Sequence, residues 1–282
     1  MPFREKLKGM LNPDESGPQH TVPASTSDTS YSGASTTSLT RFACMSMNLA
    51  DRLRFMRFNE TEIQAIRNTL SMAWFKGIQE ERDYYGAHEF KLKGYPWSAQ
   101  GNEAVPARQM MCAVFETLYN LGWVAISATD ISKSSLDKDT TIFRYQDPRP
   151  APCSWMAISF NEGDKLRFIK APEAIIQSAS RAWSSVIQKE KWLDQENGAR
   201  AYEIKFHGYP WYATRGKESV GVRDVLLQLF EILEQNGFSL YLSLDQNTGP
   251  GGDSSGMDTD SWYCRRLNSW TPGKPVYHSA PN

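Results

Sequence analysis

The chain has 282 residues, of which 40% are apolar and 12% aromatic, so it is long enough for about two domains with cores of their own. Its 31 lysines and arginines balance 32 aspartates and glutamates, which excludes a bulk electrostatic attraction to nucleic acid or to an anionic surface. A membrane-spanning helix is excluded as well, because no run approaches about 18 consecutive apolar residues.

The segment 2–11 has the spacing of a short amphipathic helix that ends before Pro13. Its candidate membrane-docking residues are Phe3, Leu7, Met10 and Leu11 on the apolar stripe and Arg4, Lys6 and Lys8 on the basic flank. Such a helix can lie in a membrane interface, where the stripe is buried and anionic lipids attract the flank. The alternative is a frayed terminus, because an isolated helix of this length is marginal in water.

Residues 1–41 are predicted to form a disordered tail. Beyond Pro13 the tail is rich in serine and threonine, and Val22 and Leu39 are its only large aliphatic residues. Such a segment cannot bury enough apolar area to offset the entropy that it would lose on ordering. The folded part of the chain is therefore expected to begin near Phe42.

An internal duplication organises the rest of the chain. The motif Gly-Tyr-Pro-Trp occurs at 94–97 and again at 208–211. The residues that follow it recur in the same order, so that Glu103, Arg108, Phe115, Gly122 and Asp130 match Glu218, Arg223, Phe230, Gly237 and Asp245. The sequence therefore predicts two homologous units, the first at 42–170 and the second at 171–282.

Each unit is predicted to contain a helix, a strand, a second helix and two further strands. In the first unit these elements fall at 61–76, 90–93, 103–121, 123–128 and 140–145, and an additional hairpin follows at 154–160 and 166–169. In the second unit they fall at 172–192, 202–206, 218–236, 238–244 and 261–265. The pattern is typical of an α+β fold with antiparallel sheet, in which two tandem homologous helix-strand-helix-strand-strand units follow a disordered tail. The short linker favours one continuous sheet over a pseudo-two-fold pair of separate sheets.

The repeated Gly-Tyr-Pro-Trp has a structural and a functional interpretation. Glycine permits an unusual backbone angle, proline ends strand pairing, and the two aromatic rings can cover the end of a sheet. The same rings can instead form an aromatic platform for a sugar, a base or a proline-rich peptide. Tyr95, Trp97, Tyr209 and Trp211 are therefore candidate binding residues.

Arg108 and Arg223 lie early in the second helix of each unit, where the helix dipole does not favour a cation. A specific partner is therefore expected for each guanidinium group. The candidates are Asp130 and Asp245 at the end of the following strand, which would make an internal ion pair. The alternative is a bound phosphate or carboxylate ligand.

Asp137 with Asp139, and Asp258 with Asp260, are the candidate metal ligands, because paired carboxylates can hold a divalent cation. Acidic residues are also common at turns, where they bond to their own backbone. The usual sequence motifs of hydrolases, zinc proteases and nucleotide-binding enzymes do not occur, and the four cysteines form no CxxC pair. We therefore predict reduced thiols, no catalytic residue and no cofactor.

The doubled pattern resembles a group of uncharacterised fungal proteins with a duplicated Gly-Tyr-Pro-Trp α+β unit. The resemblance rests on the motif, on the arginine-bearing amphipathic helix, on Gly-Trp-Val-Ala-Ile-Ser at 122–127 and on Asp-Lys-Asp-Thr-Thr-Ile-Phe-Arg at 137–144. It covers residues 60–270 and implies an architecture without an activity.

The function that these patterns favour is that of a non-enzymatic adaptor or regulatory module that binds a protein partner in the cytoplasm. The segment 2–11 would bring it to an anionic membrane surface. One alternative is a small-ligand-binding protein or a metal-dependent enzyme with a site between the two units. Another is a nuclear regulatory factor, although the even mixing of charge disfavours nucleic acid as a partner.

Overall fold

The computed structural model describes residues 40–98, 101–129, 137–195, 197–246 and 260–277. Several sequence predictions lie outside these residues, namely the amphipathic helix at 2–11, the serine-rich and threonine-rich tail, and the roles of Asp130 and Asp258. The side chain of Asp137 also lies outside the description.

Two repeats follow one another in the described part of the chain. The first contains β1 (Phe42–Asn48), β2 (Arg52–Met56), α1 (Glu60–Ala73), β3 (Ile78–Tyr84), β4 (Ala87–Leu92), α2 (Ala104–Asn120), β5 (Trp123–Thr129) and β6 (Asp137–Tyr145). The second contains β7 (Cys153–Asn161), β8 (Lys165–Ile169), α3 (Glu173–Ala182), β9 (Ile187–Asp194), β10 (Arg200–Phe206), α4 (Gly216–Gln235), β11 (Ser239–Leu244) and β12 (Ser261–Leu267). Single 3₁₀ turns occur at Pro96–Ser98, Gly101–Glu103 and Pro210–Tyr212.

The two repeats have the same sheet topology. The first sheet has the strand order β3-β4-β2-β1-β6-β5, and the second has β9-β10-β8-β7-β12-β11, which is the same order of equivalent strands. Every pair of neighbouring strands is antiparallel. The α+β fold of two tandem homologous units is thereby confirmed, and the expectation of one continuous sheet is wrong.

The hairpin at 154–160 and 166–169 belongs to the second repeat. Its strands β7 and β8 pair with β12 and β10, so the prediction that it extends the first unit to residue 170 is wrong. The first repeat opens with the equivalent hairpin β1–β2, which is not among the predicted elements. Its signal is the alternation of buried Met45, Met47, Leu53 and Phe55 with more exposed neighbours.

The predicted helices at 61–76 and 172–192 are too long. Each ends at a capping tryptophan, Trp74 after α1 and Trp183 after α3, and a strand follows within a few residues. Both tryptophans are fully buried and belong to the hydrophobic cores. The strands β3 and β9 are edge strands whose side chains are mostly exposed, so their sequences lack the apolar alternation that identifies the inner strands.

The repeats stack as alternating layers of sheet and helices. Helix α2 lies between the two sheets, where it packs against α1 and β5 on one side and against β7 and β8 on the other. Strand β7 is consequently buried on both faces, with Trp155 in the core around α2 and Met156 in the core around α3 and α4. Within the described residues, the first sheet is covered by helices on one face alone. None of these helices is long and apolar enough to cross a membrane.

Helix α2 ends before Gly122, whose φ of 100° lies in the left-handed region that favours glycine. A Cβ atom at this position would also lie 2.9 Å from the backbone oxygen of Gln146, which cannot move as freely as a side chain. We expect Gly122→Ala to lower the free energy of unfolding by about 2 kcal/mol, measured by urea denaturation.

The matched control is Gly221→Ala, because Gly221 lies in the exposed interior of α4 and an added Cβ has no heavy atom within 4 Å. We expect this substitution to stabilise the chain by up to about 1 kcal/mol, since alanine is the better helix former. Equal effects of the two substitutions would contradict the assignment of a strained left-handed cap.

Candidate functional site

The two Gly-Tyr-Pro-Trp corners fasten the chain to the strand that follows the first hairpin turn of each repeat. The indole Nε1 of Trp97 donates to the backbone oxygen of Arg52 at 3.1 Å, and that of Trp211 donates to the backbone oxygen of Lys165 at 3.0 Å. Trp97 is fully buried, so the prediction that it contacts a partner is wrong. Trp211 is half-buried, while Tyr95 and Tyr209 are exposed.

In the first repeat the space beside the corner is occupied by Glu103. Its carboxylate accepts a hydrogen bond of 2.6 Å from the backbone N–H of Tyr95 and pairs with the ammonium group of Lys76. Gly94 provides the room, because a Cβ there would come within 2.8 Å of the carboxylate. The first corner is therefore closed by an ion pair.

The second corner has an open groove of about 420 Å³ at the same place. Ser185 stands two residues after Trp183, as Lys76 stands two residues after Trp74, so the cation that closes the first corner is missing from the second. We call this surface the tyrosine groove. Its main lining residues are Val186, Tyr209, Pro210, Tyr212, Glu218, Val222 and Val225.

The turn of the β7–β8 hairpin supports the tyrosines of the groove. A Cβ at Gly163 would lie 2.2 Å from the ring of Tyr212 and 3.0 Å from the ring of Tyr209, so both rings pack directly on the glycine backbone. The two rings also meet edge to face, with their centroids 6.4 Å apart. The groove therefore has a wall of fixed aromatic side chains.

The lining of the tyrosine groove is mostly apolar and aromatic, and its charged or ionisable side chains are the carboxylate of Glu218 and the imidazole of His207. Glu218 is exposed and makes no hydrogen bond or ion pair with any residue in the described part of the chain. Its counterpart Glu103 is the residue that closes the first corner. The carboxylate of Glu218 is thus available to a ligand.

Glu218, Tyr212, Val186 and Val222 are not among the residues singled out from the sequence as binding candidates. The available signal is the divergence between the repeats, in which Ser185 replaces Lys76 and Val186 replaces Gly77. A comparison that looks only for residues shared by the repeats does not detect these two differences.

Arg108 connects the two repeats inside the protein. Its Nε donates to the Oγ of Ser261 at 2.9 Å, and its Nη1 donates to the backbone oxygen of Ala104 at 2.9 Å. The guanidinium group is buried, and this burial lowers its pKa to about 10. The suggestion that Arg108 receives a ligand from solution is therefore wrong, and its predicted partner Asp130 lies outside the described residues.

Arg223 has no equivalent place inside the protein. It is exposed at the outer side of α4, and its Nη1 donates to the backbone oxygen of Ser219 at 2.6 Å. The backbone N–H of Asp245 donates to the carboxylate of Asp139 at 2.9 Å, which links the two repeats a second time. The ion pair of Arg223 with Asp245 is not among the contacts of the described residues.

The predicted metal ligands are only partly described. Asp139 accepts the hydrogen bond from Asp245, and Asp260 accepts one of 2.6 Å from the hydroxyl of Ser243. Among the described residues, no three histidine, cysteine, aspartate or glutamate side chains are grouped as metal ligands. The metal site stays a prediction, because half of its residues fall outside this part of the chain.

Each sheet also carries one buried glutamate held by basic side chains. In the first sheet, the Oε2 of Glu89 accepts from the Nε of Arg54 at 2.6 Å, and its Oε1 pairs with Arg52 and Arg82. In the second, Glu203 pairs with Arg167 at 2.7 Å and with Lys191 at 3.4 Å. Burial raises the pKa of each carboxyl, and the hydrogen bonds from arginine outweigh this effect and lower it.

The four cysteines are free, as the sequence predicts for reduced thiols. Burial raises the pKa of the Cys112 thiol to about 12, and it raises those of Cys44 and Cys264 as well. Thiols of this kind are poor nucleophiles near neutral pH.

The fold and these sites define a tandem-repeat α+β protein with one closed and one open corner. A protein-family model matches the chain twice, over residues 41–144 and 154–265. The matches cover most of the chain and coincide with the two repeats, so the chain belongs to this domain family and contains two copies of the domain. No curated protein and no solved structure matches it significantly.

Proposed function

We propose that the chain is a non-enzymatic adaptor whose tyrosine groove binds a segment of a protein partner. The observation that carries this proposal is that the same corner is closed by Lys76 and Glu103 in the first repeat and open in the second. Exposed apolar patches on a folded protein mark interaction sites. A corner that served folding alone would be expected to be closed, as the first corner is.

The lining of the tyrosine groove selects the chemistry of the partner. Exposed tyrosine rings beside proline and valine suit a proline-containing extended segment, whose backbone is already ordered before it binds. The carboxylate of Glu218 at the rim suits a lysine or arginine next to that segment. We therefore propose a partner segment that combines proline with a basic residue.

We expect Tyr209→Ala to weaken binding of such a segment at least about tenfold, because Tyr209 is 70% exposed and offers one face of its ring to the groove. The measurement is fluorescence polarisation against an array of synthetic peptides with two prolines and one arginine, using the full chain.

Tyr95→Ala is the matched control, because Tyr95 occupies the same position in the closed corner. A second variant, Ser185→Lys, places a cation where Lys76 stands and is expected to close the groove by pairing with Glu218. The proposal fails if no peptide binds, or if Tyr95→Ala weakens binding as much as Tyr209→Ala does.

We propose a cytoplasmic location for the adaptor, with the segment 2–11 as its contact to an anionic membrane surface. A chain that begins at Phe42 is expected to lose membrane association and to keep peptide binding, measured by sedimentation with vesicles that contain phosphatidylserine. Equal sedimentation of the two chains would contradict the membrane contact and leave the groove untouched.

We also propose that the Gly-Tyr-Pro-Trp corner is a general feature of the family, in line with the resemblance to fungal proteins. The ligand-binding or metal-dependent alternative and the nuclear alternative stay predictions, because no contact of the described residues favours either one.

A further inference from the structure

Within one molecule, helix α2 docks on one face of the second sheet. The ring of Phe115 lies 4.8 Å from the ring of Tyr263, and the ring of Tyr119 lies 5.5 Å from that of Trp155. The Nη1 of Arg265 also donates to the hydroxyl of Tyr119 at 2.8 Å. This face of the second sheet is therefore buried under a helix of the preceding repeat.

The equivalent face of the first sheet has no such cover in the described part of the chain, and we call it the open sheet face. Phe42 pairs with Arg144 across the sheet as Trp155 pairs with Arg265, so Phe42 is the counterpart of Trp155. Met56 is likewise the counterpart of Ile169. Phe42 and Met56 are 43% and 44% exposed, whereas Trp155 and Ile169 are buried.

Helix α4 of the second repeat is the counterpart of α2 and keeps its docking side free. Arg223 and Arg108 both donate Nη1 to the backbone oxygen four residues earlier, which fixes the correspondence. Leu227 then stands where Cys112 stands in α2, one turn beyond the arginine, and it is 62% exposed. The chain thus exposes both an uncovered sheet face and the helix that is homologous to the one covering the second sheet.

The charges of these two surfaces are complementary. Glu234 occupies the position of Tyr119, and Arg144 occupies the position of Arg265. The internal hydrogen bond between Arg265 and Tyr119 would therefore become an ion pair between Arg144 and Glu234. Both side chains are exposed and have no partner among the described residues.

The rest of each surface has the same opposition of charge. On α4, Asp224 and Glu231 are exposed and outnumber Arg223. On the open sheet face, Arg52, Arg54 and Arg82 outnumber the carboxylates of Glu89, which all three contact, and of Asp51, which lies 3.7 Å from Arg52. An acidic helix therefore meets a basic sheet face.

We infer that a second copy of this chain docks its helix α4 on the open sheet face. The contact repeats between two molecules the packing of α2 on the second sheet within one molecule. It joins two different surfaces, so each added molecule again exposes an open sheet face or a free α4, and assemblies grow head to tail. Ser127 and Ile142 of the open sheet face stand where the second sheet has Leu242 and Tyr263. These smaller side chains bury less apolar area against the helix, so we expect the contact to be reversible.

Analytical ultracentrifugation of the full chain tests this inference. We expect the mean mass to rise with concentration beyond that of a dimer and to fall when sodium chloride is raised, because exposed ion pairs are screened. A monomer at all concentrations, or a closed dimer that does not grow, would overturn the inference.

Two single variants provide the sharper test. Leu227→Arg disables the helix side, because it places a cation against the basic sheet face, and Met56→Glu disables the sheet side, because it places a carboxylate against the acidic helix, so each variant alone is expected to stay monomeric. An equimolar mixture is expected to form a one-to-one dimer that does not grow, because one intact α4 and one intact open sheet face remain. Failure of the mixture to associate, with both variants folded by circular dichroism, would overturn the inference.

A charge exchange tests the same contact without adding a charge to apolar surface. Arg144→Glu and Glu234→Arg are each expected to reduce association, and the chain carrying both changes is expected to recover it. Loss of association in the double variant as large as in the single variants would count against this geometry.

Discussion

Glu89→Gln is expected to lower the free energy of unfolding at pH 7 by about 3 kcal/mol. The carboxylate is 1% exposed and binds Arg52, Arg54 and Arg82, so the substitution leaves three guanidinium groups close together without the charge that holds them. Urea denaturation measures the loss. Glu80→Gln on the exposed strand β3 is the control and is expected to change the free energy of unfolding by less than about 0.5 kcal/mol.

The carboxylate of Glu89 also makes the free energy of unfolding depend on pH, and the direction of this dependence follows from its pKa. The pKa of Glu89 is lowered in the folded chain, because the arginine hydrogen bonds outweigh the effect of burial. The unfolded chain therefore binds the proton more readily, and the contribution of Glu89 is complete above the ordinary glutamate pKa of about 4.3. It is lost as the pH falls from that value through the lowered pKa.

We accordingly expect the wild-type urea midpoint to fall between about pH 5 and pH 3 more steeply than that of Glu89→Gln. Glu203→Gln is expected to have a smaller effect at neutral pH, because Glu203 pairs with one arginine and one lysine. Parallel pH profiles for the wild type and Glu89→Gln would show that Glu89 does not supply this dependence.

The duplication could be read from the sequence because it is carried by residues that both repeats need for folding. Gly122 and Gly237 end equivalent helices, and Trp97 and Trp211 donate to equivalent backbone oxygens. The boundary of the repeat was harder to place, because β1 and β7 share only Ser46 and Asn48 with Ser159 and Asn161, and β7 is the more apolar strand. The available signal is Leu-Arg-Phe of β2, which recurs in β8, and without it one hairpin was assigned to the wrong repeat.

The layered packing also has a signal in the sequence. Helix α2 is apolar almost all round, with Val105, Met111 and Cys112 buried together with Phe115, as is typical of a helix covered on more than one side. Helix α4 instead presents Asp224 and Glu231 on its outer side. The difference between these two homologous helices predicts which one is enclosed.

The tyrosine groove could not be predicted from shared residues. It results from the absence of a closing cation at Ser185 and from the support that Gly163 gives to Tyr212. These residues come from different hairpins and turns, and only the folded chain brings them together. Sequence similarity between the repeats identified the Gly-Tyr-Pro-Trp corner, whereas the groove beside the second corner results from residues that differ between the repeats.

Phe115→Ala is expected to cause the largest loss of stability, about 4 kcal/mol. Phe115 is fully buried in α2 and packs edge to face with Tyr263 and Tyr241 of the second repeat, so its removal leaves a cavity between the repeats. Because the core around α2 includes residues of both sheets, we expect one cooperative transition in urea, shifted to a lower midpoint.

Phe230→Ala in α4 is the matched control, because Phe230 holds the same place in the second repeat but is half-buried and packs against Trp262. Its expected cost is about half as large. Hydrogen exchange should show that Phe115→Ala speeds exchange in β7 and β12 as well as in β1 and β6, since the shared core couples them. Faster exchange in the first repeat alone would mean that the two repeats unfold independently.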